Sequence, residues 1–322
     1  DCYDDQGILI HLYGPHIFHT SSVKVWNFLS RFTSWHLYQH QVKAFVDGRC
    51  VTIPVNLNTM EELFNRKFTP EQMSSYMKSV AEDITEPADS EQVVLSRVGR
   101  ELYSAFFENY TSKQWGVSAS ELGPEVCGRI PVRLNRDDRY FSDQYQGMPL
   151  NGFTRLFQSM LEHENISILL QTDYFKIRQM FSPKMTIYTG ELDAYFEKAH
   201  GALPYRCLEF EFRSFARESY QDWPVINYPN DYDFTRIAEY KKITGQSAGR
   251  TTVSLEYPGE HGVPCYPLPT PGAVGLAQKY LKEASKLKDI QFLGRLGRYK
   301  YINMDRAVLD AMELSREIIA KW

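Results

Sequence analysis

Two arginine strings stand far apart in this chain, Arg129-Ile130-Pro131-Val132-Arg133 and Thr235-Arg236-Ile237. A guanidinium presents a planar fork of donors that matches phosphate oxygens in pairs. It also offsets negative charge growing on a phosphate leaving group. On spacing alone, an arginine beside proline is usually a surface ion-pair partner. A third string, Tyr13-Gly14-Pro15-His16-Ile17-Phe18-His19-Thr20, follows the apolar run Ile8 to Leu12. Strand, turn and then polar groups is how a binding loop is set at the end of a buried strand. His16 and His19 at i, i+3 suit a shared metal, but no third ligand lies near them, which argues against one. Phe106, Tyr110 and Trp115 make either a buried face at a helix end or a stacking platform for a base. Tyr140-Phe141, Tyr266 and Tyr301 add phenols that serve equally as hydrogen-bond donors or packing residues. No Ser-His-Asp set and no carboxylate pair stands out.

Composition narrows the setting. A chain of 322 residues can bury a sizeable core in two or three packed units. Its 43% hydrophobic and 24% charged residues are ordinary for a globular protein. A net charge of −4 gives no general attraction to nucleic acid, so an anionic ligand must be held by a local arginine cluster. No apolar run approaches the roughly 20 residues of a membrane span. Five scattered cysteines, never in CxxC spacing, read as reduced thiols of a cytoplasmic protein without a zinc site. The 21 tyrosines fit a sugar, nucleobase or flavin cleft, or simply a rich core.

The elements that must position these residues can be sketched. Ile8 to Leu12 reads as a buried strand and Ser22 to Phe32 as an amphipathic helix. Residues 41–54 alternate around Asp47-Gly48, a hairpin signal. Thr59-x-x-Glu62, Thr69-Pro70-Glu71-Gln72, Asp89-x-x-Gln92 and Ser118-x-x-Glu121 read as helix starts, so residues 58–128 form a helical subdomain. Val94, Val98, Leu102 and Phe106 share one helical face. Strands are expected at 139–146, 166–170, 186–189, 208–212, 225–228 and 290–293, with an amphipathic helix at 151–161. Gly294-Arg295-Leu296 and a helix from about Met304 then end the chain, a strand–turn–helix that can meet a dinucleotide. No G-x-G-x-x-G occurs anywhere.

YGPHIFHT, YTSKQWG, RIPVR, YFSDQYQGMP, VINY, FTRI and GRLGRYKY follow one another in this chain. In that order they resemble the bacterial UDP-galactopyranose mutase family from about Gly7 to Ile318. The resemblance implies an α/β fold: an incomplete Rossmann-like FAD domain, an inserted helical subdomain and a mostly antiparallel substrate-binding sheet. The FAD domain would comprise 1–38, 150–200 and 286–322, the helical subdomain 58–128, and the sheet domain 39–57, 129–149 and 201–285. The family's glycine-rich βαβ unit would precede Asp1 and is expected to be missing from the chain. Arg129 and Arg236 match the pair gripping the substrate diphosphate. Tyr110 matches the residue stacked on uracil, with Phe106 beside it. Trp115 matches a tryptophan on a mobile loop closing over the sugar, with Gly116 left free to hinge. Tyr140, Phe141, Tyr266 and Tyr301 would complete the substrate site, the phenols bonding the diphosphate. His16 and His19 would orient flavin and sugar as catalytic-site residues. Arg295, Tyr301, Asn303 and Met304 would join His16 along the flavin. The family often has Asp where Asn303 stands, so no acid–base role is given to Asn303. Cys265 likewise replaces a common Tyr.

The implied activity is interconversion of UDP-galactopyranose and UDP-galactofuranose by reduced FAD, whose N5 bonds covalently to the anomeric carbon, for galactofuranose biosynthesis and cell-surface polysaccharide. The family also implies a cytoplasmic homodimer without nucleic-acid partners. Two alternatives stay open: another FAD oxidoreductase of the same fold, such as an amine oxidase, and a non-catalytic nucleotide-sugar-binding remnant. The first has no need of a double-arginine clamp.

Overall fold

In the computed structural model, which describes residues 1–321, Val42–Val46 and Arg49–Ile53 close into the expected hairpin. Asp47 and Gly48 both take positive φ (50° and 78°), as a tight turn between twisted strands requires. This hairpin ends a seven-stranded sheet ordered Pro264–Pro267, Tyr205–Phe215, Thr251–Gly259, Arg236–Glu239, Val225–Asn227, Val42–Val46, Arg49–Ile53. Its pairs are antiparallel except Val225–Asn227 beside Val42–Val46. The register sets Glu256 directly opposite Arg236.

Helices between residues 57 and 128 pack their apolar faces on this sheet. Met60, Met73, Val98 and Leu102 share one core with Ala44, Val46 and Val51. Thr69 and Asp89 cap their helices as expected, each accepting from the backbone N–H three residues on. Thr59 does not open its helix. Asn56 is the cap, and Thr59 is the third helical residue, whose hydroxyl accepts from the Asn56 N–H. Ser118 and Glu121 do form a box, but it closes only the single 3-10 turn Ala119–Glu121. The stripe Val94, Val98, Leu102, Phe106 is buried, yet the helix Ser90–Phe106 kinks at Gly99, with φ +74°.

Three strand expectations need correction. The strand placed at 139–146 lies at Tyr145–Pro149. Side-chain bonds fold the preceding segment into a loop: Arg139 Nε donates to Asp137 Oδ1 at 2.8 Å, and Arg133 donates to the Asp137 carbonyl at 3.0 Å. Residues 166–170 form no strand; no neighbour pairs with them, and Leu170 is 80% exposed. In the buried run from Ile8, only Leu9–Ile10 is a strand, antiparallel to Cys2–Tyr3.

Phe18–Thr20 lies in a three-stranded antiparallel sheet beside Tyr145–Pro149, which also pairs Trp35–Leu37. The terminal helix Met304–Lys321 covers it, setting Met304, Val308 and Met312 against Phe18, Val25 and Leu29. Ile290–Phe292 runs parallel to Thr186–Tyr188. Among the described residues, no helix is long and apolar enough to cross a membrane.

Candidate functional site

The helix Glu108–Trp115, the three-stranded sheet and the middle of the large sheet enclose a cavity of about 460 Å³. The residues that the resemblance assigns to the site all line it: His16, His19, Phe106, Tyr110, Trp115, Arg129, Tyr140, Phe141, Arg236, Tyr266, Arg295, Tyr301, Asn303 and Met304.

Arg236 is delivered by strand register. Its Nη2 meets Glu256 at 3.1 Å, while its Nε is buried with no hydrogen-bond partner. Burial works against the guanidinium charge, but Glu256 and then the Tyr110 and Tyr266 hydroxyls outweigh it, so the arginine is held charged. For Glu256, burial pushes the carboxyl upward and Arg236 pulls it back. Arg129 follows the short helix Glu125–Gly128 and is exposed to the cavity, its guanidinium 4.5 Å from the Tyr301 ring centroid. Desolvation opposes its charge too, and Tyr301 with Tyr140 reverses the balance. Arg133, the other arginine of its string, is a loop staple instead: it reaches Ser142 Oγ at 2.8 Å and the Asp137 carbonyl at 3.0 Å.

Trp115 is the last residue of its helix and is only 6% exposed. It meets Tyr301 edge-on at 5.4 Å and Tyr266 at 5.9 Å, so the three rings form one wall. Arg295 lies over Tyr266 and Tyr301 at 4.9 and 5.3 Å. Its guanidinium is fixed by the Ile302 carbonyl at 2.8 Å and the Cys265 carbonyl at 3.2 Å. Asn303 and Met304 sit where the terminal helix begins; the Asn303 carbonyl accepts from the Ala307 N–H.

His16 Nδ1 donates to the Gly14 carbonyl at 2.8 Å, because a carbonyl can only accept. His11 Nδ1 accepts from the His16 N–H at 3.1 Å. Burial within the cleft lowers the His16 pKa first, and Arg295 and Arg236 reinforce it, so the ring is neutral. His19 is paired with Asp143 and stacked on Phe141. Among the described residues, no group of three or more His, Cys, Asp or Glu side chains could hold a metal ion.

Sequence reasoning missed the residues that hold this set in place. Arg206 is buried and donates to the Gln114 carbonyl at 3.2 Å and the Lys113 carbonyl at 3.1 Å, closing the aromatic helix. Lys113 Nζ donates to the carbonyls of Tyr228 and, at 2.7 Å, Tyr232, tying that helix to the loop before Arg236. Lys113 stands inside the YTSKQWG string, so its place was flagged but not its partners. Glu256 and Arg206 carried no signal in the sequence.

The fold is a mixed α/β one, with a cleft walled by arginines and aromatic rings. A family described as GLF, UDP-galactopyranose mutase, matches residues 105–301. Over 328 residues the chain is 38% identical to a probable UDP-galactopyranose mutase of Klebsiella pneumoniae, spanning 99% of this chain and 85% of that protein. It is 32% identical over 331 residues to the dTDP-fucopyranose mutase of Escherichia coli, spanning 98% and 88%. A crystal structure of reduced UDP-galactopyranose mutase shares the fold: TM-score 0.76, 17% identity, covering 100% of this chain and 87% of that one. The chain belongs to the UDP-galactopyranose mutase family.

Proposed function

We propose that this chain interconverts UDP-galactopyranose and UDP-galactofuranose. The observation that carries the reading is that Arg129 and Arg236, distant in sequence, line one cavity together with Tyr110, Trp115, Tyr266 and Tyr301. Arg236 keeps an unpartnered buried Nε, a donor in want of an acceptor. A diphosphate supplies such acceptors, and two guanidinium groups stabilise the charge that builds on UDP as it leaves the anomeric carbon. Glu256 holds Arg236 from behind, so the clamp is oriented before substrate arrives. Tyr110 and Phe106 offer faces on which uracil stacks. Trp115, Tyr266 and Tyr301 wall the sugar from water, which protects a detached sugar from hydrolysis.

The residues at the other end fit a flavin ring. They combine apolar faces (Tyr266, Tyr301, Met304) with polar groups at fixed positions (His16, Arg295 and the start of the terminal helix). His16, Arg295, Tyr301, Asn303 and Met304 would hold it. Reduced flavin, when bound, supplies the nucleophile toward the anomeric carbon. Arg295 offers positive charge to an anionic ring, and its own three carbonyl bonds keep it from moving.

The 32% identity to a dTDP-fucopyranose mutase favours a second substrate, a dTDP-6-deoxysugar, for the same chemistry. The test is turnover by the protein held in a large excess of FAD and reduced with dithionite, with flavin occupancy read from absorbance and products followed chromatographically from UDP-galactofuranose and dTDP-fucofuranose. Conversion of the first at the higher kcat/KM supports the proposal. Preference for the second would move the substrate, and turnover of neither would overturn the activity.

A further inference from the structure

One hydrogen-bonded pair in the cleft has no part in the clamp. His19 Nδ1 lies 2.7 Å from Asp143 Oδ2, and Ser21 Oγ donates to Asp143 Oδ1 at 2.8 Å. The His19 side chain is 11% exposed and that of Asp143 26%. The imidazole lies flat on Phe141, with centroids 3.7 Å apart and planes 11° apart. Its backbone is equally fixed: His19 pairs with Gln146 across the antiparallel ladder. Gln146 Nε2 in turn donates to the Phe141 carbonyl at 3.2 Å and the Asp143 carbonyl at 2.9 Å. Ring, carboxylate and stacking partner are therefore one rigid unit, assembled from two neighbouring strands and the turn between residues 141 and 144.

We infer that Asp143 is a positioning residue that sets the His19 tautomer and leaves His19 Nε2 as a proton acceptor for a ligand hydroxyl in the cavity. A carboxylate oxygen accepts, so Nδ1 carries the hydrogen, and a ring with one N–H then presents a bare Nε2. Among the described residues Nε2 has no hydrogen-bond partner, and it is not among the buried unsatisfied atoms. The polar edge of the ring thus opens on the cavity that His19 lines. When a sugar hydroxyl there is deprotonated, its O–H bond breaks, the proton passes to Nε2, the bonding pair stays on oxygen, and the imidazolium formed rests against Asp143. The reverse reaction returns the same proton. This role rests on the mutase reading; the tautomer does not.

The test compares wild type with Asp143→Asn and Asp143→Glu. In wild type, 15N spectra of labelled histidine should give His19 as Nδ1–H with bare Nε2. Asp143→Asn should populate the opposite tautomer, because its amide can donate to Nδ1. In the flavin-loaded, reduced protein it should lower kcat about 100-fold or more, as loss of a proton acceptor does. UDP affinity should stay within about threefold, since the phosphate clamp is untouched, and Asp143→Glu should restore part of kcat. An unchanged tautomer in Asp143→Asn, a kcat within threefold of wild type, or a parallel loss of kcat and UDP affinity would each overturn the inference. If wild type with its flavin site shown to be occupied turns over no nucleotide sugar, the activity reading fails, and the spectra still decide the tautomer.

Discussion

At the residue scale, Arg129 and Arg236 carry the most specific expectation. On the proposed reading each would meet phosphate by charge-assisted bonds in the cleft, so Arg129→Ala or Arg236→Ala should weaken UDP binding by roughly 2–4 kcal/mol. Calorimetry measures this directly, and unchanged affinity in both variants would remove them from the site. The buried histidines set a pH dependence. Burial lowers His40 to about 3, with Arg236 and His19 reinforcing it, and burial lowers His11 to about 3, with His16 reinforcing it. The unfolded chain binds these protons near pH 6.5, whereas the folded protein refuses them until about pH 3. Stability is therefore full above pH 6.5 and drains away as the pH falls toward 3. His40→Gln should flatten that decline by on the order of 2 kcal/mol at pH 4.5, read from urea midpoints; identical profiles would refute it. These residues differ in how legible they were. Arg129 and Arg236 stand in strings whose order along the chain is informative. Glu256, Arg206 and Asp143 matter through partners across a strand or in another segment, and no local pattern encodes a partner.

At the scale of elements, periodicity and caps placed the hairpin, the helices and the terminal strand–turn–helix. They missed what only tertiary contact decides. The four-residue stripe in Ser90–Phe106 passes through Gly99 without a sign of the kink there. The apolar run 166–170 looks like a strand, but a strand needs a neighbour, and none lies beside it. Gly116 is a sharper case. The sequence suggests a hinge, yet Gly116 closes the aromatic helix with φ +72°, and a Cβ there would stand 2.6 Å from Arg206 Nη1. Gly116→Ala should therefore destabilise the protein by about 1–2 kcal/mol from backbone strain, with a further loss from displacing Arg206. Gly116→Asn separates the two, because asparagine tolerates the left-handed region but keeps the Cβ. Equal melting losses for both would assign the effect to Arg206. Full stability of Gly116→Ala would restore the hinge reading.

At the scale of the whole molecule, the class was readable but the topology was not. The large sheet joins residues 42–53 to 205–267 through one parallel neighbour, Val225–Asn227 against Val42–Val46, and such long-range pairing leaves no local trace. The joined parts differ in what they can bind. The proposed phosphate clamp takes Arg236 from the large sheet and Arg129 from the segment after the helical layer, which packs on that sheet. The flavin end is met by side chains suited to a ring, but an FAD pyrophosphate wants backbone N–H groups at a glycine-rich turn, and the sequence holds no G-x-G-x-x-G. The 322-residue polypeptide should therefore bind UDP while taking up FAD poorly. UDP at about 100 times its Kd should stabilise it by about 2.7 kcal/mol, visible as a rise in melting temperature. Arg236→Ala should cut that stabilisation to less than about 1 kcal/mol at the same concentration. Equimolar FAD should leave the melting temperature unmoved and the desalted protein colourless. A polypeptide of this sequence that purifies with stoichiometric FAD would mean that some other set of backbone donors in the chain holds the pyrophosphate.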